Sequence, residues 1–277
     1  RRIMTKRILI AGGNSGIGKV TATQLSKDGF EVVIAGRPGE KTEEALREIN
    51  VEAQIPVVSL DVDLASFASV RELAAAYKAN YNGLDVLLNN AGVFTGGLGL
   101  TREGFEIQFG VNHLAHFLLT DLLLNELEKA TAARVVTVTS MLHKKGVIDY
   151  DNLRGEKKYN SQAAYNRSKL ANVMFGIELA ERVKDRGITS NVLHPGAVQT
   201  DIARDMPWIV RKVLDLIFIS PQKGALTNIM LASDPTVEGI TGKYYNQCKL
   251  EEYANEANDP AARKRLWEMS EEVTKAP

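Results

Sequence analysis

The sequence lacks several features that would indicate a specialised class of protein. Its only cysteine, Cys248, leaves no partner for a disulfide within the chain and fits a reducing compartment, so we expect a cytoplasmic location. No run of about 18 apolar residues occurs, so no membrane-spanning helix is predicted. The 34 Lys and Arg balance the 34 Asp and Glu and form no basic block. That balance argues against a nucleic-acid-binding protein.

What the chain does contain is an alternation of short apolar runs with helical stretches. The apolar runs lie at 8–10, 32–34, 56–60, 84–88, 135–139 and 188–193. They are nearly continuous in apolar residues, as strands covered on both faces require. The helical stretches lie at 17–27, 40–49, 66–81, 103–128 and 163–185. This order predicts one α/β domain over residues 1–277, a Rossmann-type doubly wound parallel sheet of about seven strands flanked by helices.

Two stretches fall outside this alternation. Residues 143–160 are polar and rich in Lys, Asp and Gly, which predicts a surface loop. Residues 207–219 are apolar with few charges and are too short to span a bilayer. A core helix, a lid over an apolar substrate and a peripheral contact with a membrane surface are all compatible with the second pattern.

A glycine-rich segment follows the first predicted strand and opens into a helix. Glycines at this place let the backbone approach a pyrophosphate, and the helix N-terminus presents free N–H groups and the positive end of its dipole. The pattern predicts a dinucleotide site. Its candidate binding residues are Gly12, Asn14, Ser15, Gly16, Ile17 and Gly18.

The end of the second predicted strand indicates which dinucleotide is bound. NAD-selective sites place an acid there for the ribose 2′-hydroxyl, but this strand ends at Arg37 and no acid follows until Glu40. An arginine can grip a 2′-phosphate, so we predict NADP(H), with Lys19 adding positive charge nearby. After the third strand, Asp61 can accept a hydrogen bond from the adenine amino group or serve as a turn residue, and Val62 beside it is placed in the same site.

Two further groups of residues carry chemistry. Asn89, Ala91 and Gly92 follow the fourth predicted strand, at the edge where open α/β sheets bind ligands. Tyr165 and Lys169 are four residues apart in a predicted helix and therefore share one face. A phenol has a pKa near 10, and a neighbouring ammonium favours its anion, so we expect the lysine to lower the pKa of the tyrosine.

The order of these motifs resembles that of the short-chain dehydrogenase/reductase family over nearly the whole chain. The matching segments are Gly12–Gly18, Asn89–Gly92, Asn112–Leu114, Thr139–Ser140, Tyr165–Lys169 and His194–Gly196. Within that family, the segments Asn112–Leu119 and Tyr165–Asn172 resemble the retinol dehydrogenase-like branch. Together these motifs are highly specific, whereas none of them is specific alone.

The resemblance implies a role for each catalytic candidate. Tyr165 would be the general acid/base, and Lys169 would lower its pKa and hold the nicotinamide ribose. Ser140 would hydrogen-bond the carbonyl oxygen of the substrate, and Asn112 would position a water for proton relay. The residues implied to wrap the nicotinamide amide and pyrophosphate are Pro195, Gly196, Val198 and Thr200.

These features predict an NADP(H)-dependent oxidoreductase that interconverts a carbonyl and an alcohol on a lipophilic small molecule. A C=C bond reductase of the same family and a non-catalytic NADPH-binding sensor or scaffold are the alternatives. The family carries its substrate lid near residues 200–220, which favours the lid interpretation for 207–219. The helix at 103–128 is apolar almost all round, so either its own neighbours or a second subunit must cover it. Because homodimers that pair this helix are frequent in the family, the resemblance favours a homodimer. No metal site is predicted, because His113 and His116 have no evident third ligand.

Overall fold

The computed structural model describes residues 5–196 and 219–275, and strands alternate with helices through both parts. Eight strands lie within these residues: β1 (Arg7–Ala11), β2 (Glu31–Gly36), β3 (Val58–Asp61), β4 (Val86–Asn89), β5 (Ala133–Val138), β6 (Ile188–His194), β7 (Tyr244–Asn246) and β8 (Lys249–Glu251). The helices of the same residues are α1 (Gly16–Lys27), α2 (Glu40–Ile49), α3 (Phe67–Asn80), α4 (Ile107–Phe109), α5 (Ala115–Glu128), α6 (Ser161–Val183), α7 (Pro221–Ser233) and α8 (Pro260–Lys275). A π-helical turn, Gly110–Leu114, joins α4 to α5, and 3₁₀ turns cover Met141–Lys145, Tyr150–Asn152, Pro235–Val237 and Asn255–Asn258. None of the described helices is long and apolar enough to cross a membrane.

The strands form a single sheet in the order β3-β2-β1-β4-β5-β6-β7-β8. Strands β1 to β7 are parallel, and β8 runs antiparallel to β7. The predicted doubly wound α/β fold is therefore confirmed. Because the strand order changes direction at β1, which pairs with both β2 and β4, a crevice forms between the carboxyl ends of β1 and β4. Ligands bind at this point in sheets of this kind.

The eighth strand was not expected, since about seven parallel strands were predicted. β8 is three residues long and exposed, so it has no apolar run by which it could be recognised. It is joined to β7 by Gln247 and Cys248, which both have positive φ (46° and 65°). Two successive residues with positive φ form the tight turn that suits a two-residue hairpin.

Two apolar layers cover the sheet, one on each face. Alternate residues of β1 enter opposite layers, because successive side chains of a strand point to opposite faces. Ile8 and Ile10 join the layer that includes apolar residues of α1, α2 and α7. Leu9 and Ala11 join the layer formed with α3, α5, α6 and α8. Helices on both faces explain why the strands are apolar almost throughout.

The helix predicted at 103–128 starts later than expected. The observed helix begins at Ile107, and the buried carboxylate of Glu106 accepts hydrogen bonds from the backbone N–H groups of Gln108 and Phe109 (both 3.0 Å). Such a cap satisfies the otherwise unpaired N–H groups of the first turn and so defines the start of the helix. The π-helical turn that follows is equally apolar, so hydrophobic pattern could not distinguish it from α-helix.

Helix α5 is apolar nearly all round, and the chain itself covers it. Leu119, Leu123 and Leu127 are completely buried. The ring of Phe117 contacts the ring of Trp267 in α8, with the ring centres 4.8 Å apart. Helices α3 and α8 thus pack against the surface that had suggested a second subunit. The homodimer stays a prediction, and the apolar character of this helix no longer requires one.

The segment at 143–160 is mainly a surface loop, as predicted, with three buried residues, His143, Gly146 and Leu153. Lys144 and Lys157 are exposed, but His143 is completely buried and Leu153 is 7% exposed. Tertiary packing buries both side chains, since Ala254 from the C-terminal part of the chain contacts His143, and Leu153 joins the apolar layer formed with α3, α5, α6 and α8.

Candidate active site

Side chains from three separate elements come together at the carboxyl end of the sheet. Ser140 follows β5, Tyr165 and Lys169 lie near the start of α6, and Asn112 lies in the π-helical turn. Lys169 Nζ lies 5.5 Å from the centre of the Tyr165 ring. Lys169 Nζ and Asn112 Oδ1 lie 3.2 and 3.5 Å from the position that a Cβ on Gly92 would take. The structure therefore places all four predicted catalytic residues in one site.

Tyr165 is held as a protonated phenol. Its ring packs edge-on against Phe94, with the ring centres 5.4 Å apart. Burial raises the pKa of Tyr165 above its ordinary value, and the Ser140 hydroxyl opposes that rise. The net direction is opposite to the lowering that we expected from Lys169. At neutral pH this tyrosine can donate a proton, and it gives one up only when its anion is stabilised.

Lys169 is a buried ammonium group without an acceptor among the described residues. Its side chain is 4% exposed, and no described residue accepts a hydrogen bond from Nζ. Burial lowers the pKa of Lys169 to about 8. A buried charge without a partner costs free energy, so its presence indicates that a ligand supplies the partner. The hydroxyl groups of a dinucleotide ribose are acceptors of the right kind.

Asn112 is locked in place by its neighbours. Its Oδ1 accepts a hydrogen bond from Val93 N (2.7 Å), and its Nδ2 donates to Val93 O (3.0 Å) and to Ser168 Oγ (3.0 Å). Its backbone carbonyl accepts a hydrogen bond from His116 Nδ1 (3.0 Å). The side-chain amide therefore joins the π-helical turn to α6 and to the loop after β4. The role of Asn112 in holding a relay water stays a prediction.

The glycine-rich segment forms a tight turn between β1 and α1. Gly12 has a φ of +80°, and its carbonyl accepts a hydrogen bond from Asn90 Nδ2 (3.2 Å). A Cβ on Gly18 would lie only 2.2 Å from that same carbonyl oxygen, so no larger residue fits there. Gly16 has a φ of +52°, and a Cβ on it would meet no atom within 4 Å. The turn is thus closed on its protein side and open in front of Gly16.

The N-terminus of α1 is free to bind an anion. Its N-cap residue, Ser15, makes no side-chain capping hydrogen bond, and no acidic residue lies in the first turn, which includes Ile17. Unpaired N–H groups and the positive end of the helix dipole therefore face the open side of the turn. Together with the Lys169 ammonium, this arrangement fits a dinucleotide.

The predicted adenosine residues converge on Gly36, the last residue of β2. Arg37 follows it and is exposed, and no described residue pairs with its guanidinium. Asp61 lies beside Gly36 in the sheet register, and Val62 N donates a hydrogen bond to Gly36 O (2.9 Å). A Cβ on Gly36 would lie 2.8 Å from Asn14 Nδ2, so the absence of a side chain lets Asn14 cover this end of the strand.

Lys19 does not contribute free positive charge to this region. Its ammonium forms an ion pair with Glu48 in α2. Within the part of the chain that the structure describes, Arg37 therefore remains available as a cation at the end of β2.

The side chain of Asn89 does not face the crevice, contrary to its predicted part in binding the cofactor. It is completely buried, and its Nδ2 donates a hydrogen bond to Thr120 Oγ1 (3.0 Å). The amide thus links β4 to α5 inside the core. Ala91 and Gly92 follow β4 at the carboxyl edge of the sheet, and their part in binding the cofactor stays a prediction.

Pro195 and Gly196 continue from β6 at the same edge and are buried. Gly196 has a φ of +99°, a conformation that glycine adopts readily. His194, which we interpret as structural, is buried, and burial together with the neighbouring His143 lowers its pKa to about 4. Val198, Thr200 and residues 207–218 of the predicted lid lie outside the described residues.

Comparison with known proteins places this site in a family. The model of the short chain dehydrogenase family matches residues 6–207. The chain belongs to the short-chain dehydrogenase family. Human retinol dehydrogenase 14 is 43% identical over 286 residues, covering 96% of this chain and 85% of the relative. Human retinol dehydrogenase 13 is 38% identical over 275 residues, covering 96% and 83%. The resemblance to the retinol dehydrogenase-like branch is thereby confirmed.

Solved structures share the fold of this short-chain dehydrogenase. An uncharacterized protein of Mycobacterium paratuberculosis aligns with a TM-score of 0.80 and 33% identity, covering 98% of this chain and 94% of that one. An actinorhodin polyketide ketoreductase crystallised with NADPH aligns with a TM-score of 0.71 and 25% identity, covering 88% and 96%.

Three polar residues that build this short-chain dehydrogenase site, Asn90, Asn228 and Thr42, were not among the predicted binding residues. Asn90 donates to Gly12 O, and Asn90 Oδ1 accepts a hydrogen bond from Asn228 Nδ2 in α7 (3.1 Å). Asn14 Nδ2 donates to Thr42 Oγ1 (2.7 Å) in α2. Asn90 could have been predicted as a site residue from its place in the segment after β4. The hydrogen bond from Asn228 of α7 could not, because the two residues are 138 positions apart in the sequence.

We expect Gly16→Ala to lower the affinity for NADPH strongly and to lower the free energy of unfolding only modestly. A positive φ costs an alanine about 1–2 kcal/mol, and its methyl group would enter the open space in front of α1. NADPH affinity should fall at least ~10-fold, since close approach of the backbone to the pyrophosphate is lost. Fluorescence titration and thermal unfolding measure the two effects.

Gly239 provides the matched control for Gly16. It too has a positive φ (+74°), and a Cβ added to it would meet no atom within 4 Å, so Gly239→Ala should cost similar stability and leave NADPH binding unchanged. Equal NADPH affinity in the wild type and Gly16→Ala would show that the space in front of α1 does not hold the phosphates.

Proposed function

We propose that this short-chain dehydrogenase interconverts a carbonyl and an alcohol on a lipophilic small molecule, with NADP(H) as its cofactor. The observation that carries the proposal is a protonated phenol, Tyr165, beside the buried ammonium of Lys169, which has no acceptor among the described residues, at the same sheet edge as an uncapped helix N-terminus. When bound, NADPH supplies a hydride for reduction of the carbonyl carbon.

Residues of the chain then transfer the proton and stabilise the carbonyl oxygen of the substrate. Tyr165 donates its proton to the carbonyl oxygen as the hydride reaches the carbon, so that one C=O group becomes one CH–OH group. The Ser140 hydroxyl donates a hydrogen bond to the same oxygen while negative charge develops on it. The Lys169 ammonium stabilises the phenolate that Tyr165 becomes. In the oxidative direction the same groups act in reverse.

Support for NADP(H) over NAD(H) comes from the end of β2. Arg37 is exposed at that end without a partner among the described residues. A free guanidinium can bind a 2′-phosphate through charge-assisted hydrogen bonds, and an acid that would bind the ribose 2′-hydroxyl is absent from this position.

Support for a lipophilic substrate comes from the apolar side chains near the Tyr165 hydroxyl and Ser140. Phe94 packs against the Tyr165 ring, and Met141, directly after Ser140, is 54% exposed. An exposed large apolar side chain beside a polar catalytic group is typical of a pocket that binds apolar ligands by their carbonyl end.

The test is a titration of NADPH and NADH into the wild type and Arg37→Asp. The wild type should bind NADPH more tightly than NADH. In Arg37→Asp, NADPH affinity should fall by about 30-fold, within the range expected for losing a charge-assisted pair, while NADH binding improves. Lipophilic aldehydes and ketones are then screened with the preferred cofactor.

Arg47→Asp is the matched control for this titration. Arg47 is also exposed and lies in the last turn of α2, away from the end of β2, so the same charge change there should leave the preference intact. A wild type that binds NADH more tightly than NADPH would contradict the assignment of Arg37.

A further inference from the structure

A buried histidine follows Ser140, and the roles assigned above do not use it. His143 is completely buried within the 3₁₀ turn that begins after Ser140. Its Nδ1 lies 2.7 Å from Ser140 O, and its backbone N–H donates to the same oxygen (3.0 Å). On the other side of the ring, Nε2 accepts a hydrogen bond from Ala254 N (3.2 Å).

These contacts determine the tautomer of the imidazole. The backbone N–H of Ala254 can only donate, so Nε2 must carry a lone pair. The carbonyl of Ser140 can only accept, so Nδ1 must carry the proton. Burial lowers the pKa of His143, which agrees with a neutral ring at neutral pH. Both ring nitrogens are thus satisfied in a single arrangement.

The imidazole connects three parts of the molecule. It joins the carboxyl end of β5 to the segment that precedes α8, and its ring packs edge-on against Tyr244 of β7 at 5.0 Å between ring centres. By contrast, the Ser140 hydroxyl accepts a long hydrogen bond from Leu142 N (3.3 Å) within its own turn, and it also contacts the Tyr165 phenol, which must be free to react. The position of that hydroxyl therefore depends on how firmly the backbone of Ser140 is held.

We propose that His143 is a positioning residue, which clamps the backbone of Ser140 to the segment around Ala254 so that the serine hydroxyl faces the substrate oxygen. The proposal rests on the carbonyl chemistry proposed above. A displacement of about 1 Å in a catalytic group can lower the rate ~100-fold, so the clamp has a measurable effect on kcat.

The experiment compares His143→Leu with His143→Asn. The leucine removes both hydrogen bonds and should lower kcat for carbonyl reduction by ~10- to 100-fold with little change in the KM for NADPH. The asparagine amide nitrogen can take the place of Nδ1 and again donate to Ser140 O, but the side chain is too short to accept from Ala254 N, so this variant should restore part of kcat. Equal loss in both variants would overturn the proposal.

A double-mutant cycle separates positioning from general destabilisation. In the Ser140→Ala background, His143→Leu should cause no further loss of kcat, since the group it positions is already absent. The matched control is Asn191→Leu. Asn191 is likewise buried, donates to Ile240 O (2.7 Å) and accepts from Lys243 N (3.0 Å). The Asn191→Leu variant should lower the melting temperature and leave kcat unchanged. In the double-mutant cycle, additive losses of kcat from Ser140→Ala and His143→Leu would contradict the clamp.

Failure of the proposed function remains distinguishable from failure of the clamp. A wild type that reduces no carbonyl compound would refute the proposed function. The clamp is then judged from nitrogen-15 NMR spectra of the wild type. A neutral ring protonated at Nδ1 supports it, and a ring protonated at Nε2 or at both nitrogens overturns it.

Discussion

Tyr165→Phe should lower kcat for carbonyl reduction by about 10³-fold, within the range of ~10² to 10⁴ that positioned general acids contribute. The loss is chemical because the ring itself stays in place, packed edge-on against Phe94 at 5.4 Å. NADPH affinity should change little, since the phosphate-binding turn and Lys169 are untouched. Single-turnover kinetics together with NADPH titration measure the two quantities separately.

Tyr77→Phe is the control for loss of a tyrosine hydroxyl. Tyr77 is completely buried, and its hydroxyl donates to Gly83 O (2.9 Å) ahead of the amino end of β4, at the opposite edge of the sheet. This variant should lose about 1 kcal/mol of stability and retain its kcat. If Tyr165→Phe kept more than a tenth of the wild-type rate, another group would have to supply the proton.

Lys169→Met should have opposite effects on activity and on stability. The rate of reduction should fall ~100-fold or more, because nothing then stabilises the phenolate of Tyr165. The melting temperature of the cofactor-free protein should rise by a few degrees, on the order of 2–4 °C per kcal/mol gained for a chain of this size. The gain arises because the variant no longer buries an ammonium group that has no acceptor among the described residues.

The pH dependence of the wild type follows from the same lysine. Its pKa is lowered to about 8 from 10.5, so the folded state releases the proton before the unfolded state does. Between those values the unfolded chain binds more protons, and the free energy of unfolding should rise with pH. The rate of reduction should instead be level below about 8 and fall above it, as the ammonium is lost. Denaturant unfolding and steady-state rates across this range measure both curves.

Lys184→Met separates these effects from simple loss of a lysine. Lys184 is exposed directly after α6, so its replacement should alter neither the rate nor the pH dependence of stability. A Lys169→Met protein that is less stable than the wild type would show that the ammonium has a stabilising partner.

Much of the site could be predicted from the sequence because its signals are local. Tyr165 and Lys169 are four residues apart in one helix, and the glycines of the phosphate turn lie within seven consecutive positions that lead into their helix. Arg37 comes directly after β2. Each of these inferences needs only the conformation of a few neighbouring residues, which the hydrophobic pattern determines.

Other features of the site and fold could not be predicted because they depend on which polar side chains point into the protein core. The Asn89 amide points to Thr120 in the core, and His143 is enclosed by a segment 111 residues later in the chain. The late start of the helix at Ile107 follows from the capping carboxylate of Glu106, and the sequence does not reveal that this carboxylate is buried. None of these contacts leaves a periodic signal in the sequence.

The sequence by itself determined the doubly wound α/β fold and the family, and it named the candidate catalytic side chains. Tertiary structure decided the protonation states of these side chains and the contacts that hold them in position. Burial raises the pKa of Tyr165 and lowers that of Lys169, although a neighbouring lysine alone would lower the pKa of the phenol. Desolvation depends on everything packed around a group, so the charge state of a catalytic residue is a property of the folded chain and not of its motif.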